Sequence, residues 1–272
     1  MSADAIPYAE VIGDPIDHSL SPLIHNIWIE KLGIDADYRR HRVDRAGLAT
    51  HLALRRADPA WRGCNVTMPL KLDAVRLADD STDRAIGAGA SNLLIPRDGK
   101  LLAGNTDVSA VMILVDRLAK TGAPMESVTL LGNGGAARAV LMALHLLGFH
   151  NVRIQSRDLA AAYKLAVEFG MKVEPAAFQT PVTSDGLINA TPLGMAGQPP
   201  LNVDWRDMPA SGWVFDVVSE PTALIAAAAS RGLKVIDGIA MLVEQAAESF
   251  SFFFGRDPPR ADDAELMERL RA

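Results

Sequence analysis

A chain of 272 residues with 49% hydrophobic and 22% charged side chains can bury the cores of one large or two modest domains, and is too apolar to be disordered. Its net charge of −6, with no basic stripe to offset it, argues against a nucleic-acid surface. Cys64 is the single cysteine, so there is no internal disulfide framework, and no apolar run reaches membrane-spanning length. The opening MSADAIPYAE lacks the basic region and apolar core of a signal peptide, and these features together predict a soluble cytoplasmic protein.

Tyr8 to Ile12 reads as a first strand, stopped by Gly13-Asp14-Pro15. His18-Ser19-Leu20-Ser21-Pro22 follows, with Pro22 suited to the first turn of a helix running to Leu32 and Ser21 to its N-cap. Ser19 has no capping duty and suggests a polar-ligand site. A strand over Tyr38–Val43, a helix over Ala46–Ala57 and a strand over Arg62–Val66 come next. Asn65-Val66-Thr67-Met68-Pro69 then turns into a helix carrying Lys71. Such βα junctions are where open α/β sheets bind ligands. Ala85 to Ile95 is apolar and glycine-interrupted, with Asn92 as its polar insert, and Leu101-Leu102 reads as an edge strand. Asp107 precedes a helix over Val108–Ala119. It can serve as the N-cap, or it can form with Lys71 the coupled proton-transfer pair that a carbonyl reduction needs.

Thr121-Gly122-Ala123-Pro124 is the clearest break and the expected hinge. Val128–Leu131 is a buried-strand run, broken by Gly132-Asn133-Gly134-Gly135, after which Ala136–Leu147 has the apolar density of a helix on a sheet. Strand, glycine turn and helix predict a dinucleotide site. Gly132 permits the turn, Gly134 lets the backbone approach a pyrophosphate, and Ala137 packs helix on strand. The next strand ends at Ser156-Arg157-Asp158, about 20 residues on, where cofactor choice is made. Ser156 and Arg157 suit a 2′-phosphate and favour NADP. Asp158 could cap the following helix or repel the phosphate, so NAD stays open. Leu187 to Met195 is a strand leaving into a small-residue loop that could lie under a cofactor, with Asn189 and Thr191 in it. Strands over Trp213–Val218 and Leu233–Ile236 flank a helix over Thr222–Ser230. Asp237-Gly238 opens a long helix, Ile239–Phe254, where Gln245 alone would read as a surface glutamine, and Ala261–Arg271 is a short amphipathic helix. None of the six histidines joins Cys or acidic residues at metal-ligand spacing, and no nucleophile elbow or P-loop lysine is present.

Seven runs in order resemble the shikimate dehydrogenase family over nearly the whole chain. They are Ser19-Leu20-Ser21-Pro22, Asn65 to Lys71, Gly89-Ala90-Ser91-Asn92, Asn105-Thr106-Asp107, Gly132 to Ala136, Asn189 to Met195 and Met241 to Gln245. The resemblance implies an α/β protein with an N-terminal α/β substrate domain over residues 1–107 and a Rossmann-like NAD(P)-binding domain over 120–237. The C-terminal segment, 238–272, is then expected to pack back on the substrate domain. The implied activity is NADP-dependent interconversion of 3-dehydroshikimate and shikimate in aromatic amino-acid biosynthesis, on a small-molecule substrate and without nucleic acid, membrane or metal, as a monomer or homodimer. Lys71 and Asp107 would be catalytic, and Ser19, Ser21, Asn65, Thr67, Asn92 and Gln245 would bind substrate. Gly132, Asn133, Gly134, Gly135, Ala136, Ser156, Arg157, Asn189, Thr191, Gly238 and Met241 would meet the cofactor. The chain departs from the family pattern at Ser219, where a Tyr is usual, at Ala110 and Ala240, where glycines are usual, and at Ala161, where a second basic residue is expected. These departures keep quinate or a related cyclic acid as an alternative substrate, and a nucleotide-binding relative without turnover as a third reading.

Overall fold

The structure is a computed structural model that describes residues 6–170 and 173–271; residues 1–5, on which part of the signal-peptide reading falls, and Ala272 lie outside the described residues. Its elements in order are β1 (Tyr8–Gly13), α1 (Ser21–Leu32), β2 (Asp37–Arg42), α2 (Leu48–Arg56), β3 (Trp61–Val66), α3 (Lys71–Leu77), β4 (Asp80–Ser81), α4 (Asp83–Ala88), β5 (Leu93–Arg97), β6 (Lys100–Gly104) and α5 (Thr106–Ala119). These continue with β7 (Val128–Leu131), α6 (Gly135–Leu146), β8 (Val152–Ser156), α7 (Leu159–Phe169), β9 (Val173–Ala177), β10 (Gly186–Asn189), β11 (Trp213–Asp216), α8 (Ala223–Ser230), β12 (Lys234–Ile236), α9 (Gly238–Phe254) and α10 (Asp263–Arg271). They form two compact units. One takes the chain up to Thr106 and resumes with Val243–Leu270; the other is Asp107–Leu242. Thr121–Pro124 therefore lies inside the second unit, and the boundaries fall at the start of α5 and early in α9.

The first unit is built on a mixed sheet in the order β2-β1-β3-β5-β6-β4. β1 is buried at every position and runs parallel to both β2 and β3. β2 reads Asp-Tyr-Arg-Arg-His-Arg and lies at the edge, where charged side chains discourage further pairing. β5 runs antiparallel to β3 and β6. Leu101-Leu102 does not form an edge strand, because the two-residue β4, which carries no apolar signal, pairs outside β6. One core gathers Tyr8, Ile12, Leu48, Leu52, Trp61 and Leu94 between sheet and helices. α9 closes the unit through Phe250, whose ring lies 5.6 Å from that of Trp28 and 5.8 Å from that of His25.

The second unit holds six parallel strands in the order β12-β11-β10-β7-β8-β9. Counted from β7 this is the 3-2-1-4-5-6 order of doubly wound dinucleotide-binding sheets, which reverses direction between β7 and β10. All four residues of β7, β10 and β11 are buried, which accounts for their unalternated apolar runs. Among the described residues no helix is long and apolar enough to cross a membrane, and no group of three or more His, Cys, Asp or Glu could hold a metal ion.

Candidate active site

In the first unit Asn65, Asn92 and Thr106 meet at the carboxyl end of β3 and just before β5. Ser21 does not cap α1. The helix begins at Ser21 itself, Leu20 stands at the cap position without a side-chain bond, and Ser19 Oγ accepts from the Ser21 N–H at 3.4 Å. Pro22 sits in the first turn as its fixed φ favours, and this draws the helix start forward so that Ser21 is buried. Arg40 ties the same loop to β2, its Nε donating to the Ser19 carbonyl at 3.1 Å.

Lys71 is the first residue of α3, nearer the junction than the one-turn offset expected from sequence. Its carbonyl accepts from the Ser91 N–H at 2.9 Å, which docks the start of α3 against the residue before Asn92. Asn92 Nδ2 donates to Thr106 Oγ1 at 2.9 Å, and Asn92 Oδ1 accepts from the Thr106 N–H at 2.7 Å. This reciprocal pair moves the start of α5 back to Thr106, so Asp107 is a buried residue of the first turn rather than a cap. A carboxylate there is favoured by the helix N-terminus.

Asn65 is buried and fully committed. Its Oδ1 accepts from the Tyr38 hydroxyl at 2.7 Å, while Nδ2 donates to Ser249 Oγ at 2.8 Å and to the Asn92 carbonyl at 3.2 Å. Both amide hydrogens are thus spent on protein. Ser249 Oγ donates to the Gln245 carbonyl at 3.0 Å and lies 3.2 Å from Thr106 Oγ1. Gln245 is buried, which excludes the surface-glutamine reading. Tyr38 and Ser249 have no motif around them and were invisible to sequence reading. The nearest signal was their place as hydroxyls in otherwise charged or greasy segments.

In the second unit Gly132 stands in the left-handed region at φ 107°, and a Cβ there would come within 3.0 Å of the Ala190 carbonyl oxygen. The glycine loop and the loop after β10 are therefore pressed together. Gly134 caps α6 with no side-chain bond, and a Cβ on it would meet nothing within 4 Å. Open space over a helix N-terminus capped by a glycine fits the pyrophosphate of a dinucleotide. Asn133, Gly135 and Ala136 complete the loop and first turn.

Asn189 is fully buried beneath its loop rather than on its surface. Its Oδ1 accepts from Thr191 N at 3.0 Å and Thr191 Oγ1 at 2.7 Å, and its Nδ2 donates to Asp216 Oδ1 at 2.9 Å. Burial pushes the Asp216 carboxyl above its usual range, against the pull of hydrogen bonds from Thr222, Val218 and Asn189. Gly238 starts α9, where any Cβ would collide with the Val218 carbonyl; Met241, three residues on, is buried. At the tip of β8, Ser156 is buried and its Oγ accepts from the Asp158 N–H at 3.1 Å. Asp158 caps α7 through a 3.0 Å bond from Ala161 N. Its carboxylate is spent on the helix, and the exposed Arg157 is left to face an anion. This donor set fits a 2′-phosphate better than a bare ribose.

Residues 11–94 match the shikimate dehydrogenase substrate binding domain, and residues 238–268 the shikimate 5′-dehydrogenase C-terminal domain. A shikimate dehydrogenase (NADP(+)) of Sphingopyxis alaskensis is 45% identical over 98% of each chain. The solved shikimate 5-dehydrogenase of Thermus thermophilus, in complex with NADP(H) and shikimate, is similar at TM-score 0.84 and 31% identity over 97% of this chain and 99% of that one. A 5-ketofructose reductase of a Gluconobacter strain shares the architecture at TM-score 0.85 and 26% identity, covering 98% of this chain and 99% of that one, so the fold by itself does not choose the substrate. With a relative this close over its whole length, and a doubly wound sheet whose glycine loop opens α6, the chain belongs to the shikimate dehydrogenase family.

Proposed function

We propose that this protein is an NADP-dependent shikimate dehydrogenase, reversibly reducing 3-dehydroshikimate to shikimate in aromatic amino-acid biosynthesis. The observation that carries the reading is the hydrogen-bonded set at the β3 and β5 ends. There the Lys71 backbone, Asn92 and Thr106 are held together, and Asp107 follows Thr106 directly in the chain. Lys71 donates a proton to the carbonyl oxygen and takes it back in the reverse direction, and its ammonium stabilises the alkoxide as charge develops. Asp107 orients that ammonium. Ser19, Ser21, Thr67, Asn92 and Gln245 hydrogen-bond the hydroxyls and carboxylate of the substrate. The unit ending at Thr106 and resuming at Val243 forms the substrate part, and Asp107–Leu242, which also carries the catalytic carboxylate, the cofactor part.

Bound NADP(H) supplies the hydride. The α6 N-terminus with Gly132–Ala136 takes the pyrophosphate, and Arg157 takes the 2′-phosphate, while Ser156 shapes the turn that presents Arg157. Thr191, Gly238 and Met241 line the remainder, with Asn189 holding the loop from below. The protein works in the cytoplasm as a monomer or homodimer. Initial rates of nicotinamide reduction with shikimate or quinate, each with NADP or NAD, test the reading directly. Shikimate with NADP should give the highest kcat/KM. Quinate outperforming shikimate would overturn the substrate, NAD outperforming NADP the cofactor, and cofactor binding without turnover the enzyme itself.

A further inference from the structure

We infer that Tyr38 and Ser249 are positioning residues for the substrate site, clamping the Asn65 amide from opposite sides and through it setting the place of Asn92, Thr106 and the β3 end. This rests on the reading of the site proposed above. Neither side chain belongs to any of the seven motifs. Both are buried, Ser249 completely; Tyr38 donates to the Asn65 amide oxygen and Ser249 Oγ accepts from its nitrogen.

Proton accounting shows why the clamp has one arrangement. The Ser249 hydroxyl hydrogen goes to the Gln245 carbonyl, so toward Thr106 it is the Thr106 hydroxyl that donates and Ser249 that accepts. Ser249 Oγ then gives one bond and accepts two, from Thr106 and from Asn65 Nδ2, which fills an sp³ oxygen. Thr106 Oγ1 accepts in turn from Asn92 Nδ2. At the other end the Tyr38 hydroxyl can only donate to Asn65 Oδ1, which fixes which way the amide faces. Burial holds that phenol protonated by pushing its pKa well above the usual value. The Tyr38 ring is itself fixed by stacking on His25, centroids 3.9 Å apart and planes within 4°. Burial lowers the His25 pKa to about 3, so the imidazole under the ring stays neutral and the stack carries no charge to titrate near neutrality.

Every direction in the set is therefore determined, and a fully satisfied buried network resists local movement. Removing the Tyr38 hydroxyl takes the bond from Asn65 Oδ1, and removing that of Ser249 leaves Asn65 Nδ2 only its longer bond to the Asn92 carbonyl. The side chain can then turn, and the Asn92 carbonyl and Thr106 lose their common brace. The set joins β2, β3, the residue before β5, α5 and α9.

Tyr38→Phe and Ser249→Ala each delete a single oxygen and keep the packing. Steady-state kinetics with shikimate and NADP, alongside thermal melting, should show the KM for shikimate rising about three- to tenfold in each variant, with the KM for NADP within about twofold of wild type. The double variant should be less impaired in kcat/KM for shikimate than the product of the two single effects, because both act on one amide. A lowered melting temperature with unchanged KM for shikimate would reduce the two residues to fold stabilisers and overturn the inference. Equal rises in both KM values, or independent effects in the double variant, would overturn it as well. A wild-type chain that fails to turn over shikimate would remove the function and the inference together, whereas normal wild-type turnover with wild-type-like variants removes only the inference.

Discussion

Replacing Arg55 by methionine should cost the first unit much of its stability, for a reason that can be worked from one carboxylate. Glu10 lies in the middle of β1 with 1% of its surface exposed. It accepts from Arg55 Nε at 2.8 Å and Arg55 Nη2 at 3.2 Å, and its Oε1 is 3.0 Å from His51 Nε2. Burial alone would raise the Glu10 pKa, but the hydrogen bonds and charges of His51 and Arg55 outweigh it, and the net shift is downward. Breaking a buried pair by deleting one partner costs about 3–5 kcal/mol. Arg55 is 23% exposed and His51 remains, so the lower end, about 3 kcal/mol, is expected. At about 2–4 °C per kcal/mol for a chain of this size, Tm should fall by about 6–12 °C. A folded-state pKa held below the unfolded one adds stability that is complete above the unfolded value and is lost as the pH falls through the folded one. The wild-type advantage over Arg55→Met should therefore be full at neutral pH and shrink as the solution is acidified below the ordinary carboxylate range. Urea melts across that range, followed by fluorescence, measure both effects. Glu10→Leu combined with Arg55→Met should recover stability relative to Arg55→Met alone, since no charge is left buried. A double variant no more stable than the single one would refute the buried-charge account.

Lys71→Ala should lower kcat by about a hundred- to ten-thousandfold while moving the KM for shikimate little, because a proton donor acts in the transition state. Near-normal turnover in steady-state assays would remove Lys71 as the donor. Arg157→Ala should raise the KM for NADP by at least about tenfold and leave that for NAD nearly unchanged, as expected for loss of a charge-assisted phosphate contact. Parallel titrations of the two cofactors decide it, and equal effects on both would place the 2′-phosphate elsewhere.

The parts of the fold that sequence revealed are those with one dominant signal. β7 was legible to the residue because it is apolar at every position but Thr129 and followed at once by Gly132, and α6 and α9 to within a residue or so because of their apolar density. β4, two residues long with Asp80 and Ser81, carries no pattern at all, and β9, Val-Glu-Pro-Ala-Ala, has no apolar alternation. Both join their sheets through backbone bonds that do not depend on side-chain type. Helix starts shifted at Lys71 and Thr106, where bonds from Ser91 and Asn92 hold the first turn, and at Ser21, where Pro22 sits in it. Motif reading found Asn65, Asn92, Thr106 and Asn189 but could not say which face a ligand and which brace the site. That depends on partners such as Tyr38, Ser249 and Asp216, far away in the chain.

The division of the first unit into two stretches of chain sets an order of assembly. Its strands emerge first from the ribosome, yet the bond from Asn65 to Ser249 joins residues 184 positions apart, the pair Arg84–Glu248 closes over 164, and Lys31–Asp262 over 231. None of these can form until the second unit has been synthesised, and that unit, Asp107–Leu242, has all its strands in one uninterrupted stretch. Vectorial synthesis therefore lets the dinucleotide-binding sheet fold while β1–β6 wait for α9, with the loss of loop entropy already reduced by the folded segment between them. A ribosome stalled before Val243 would release a finished cofactor unit and an unclosed substrate unit, so the first half of the protein to be made is the last to mature.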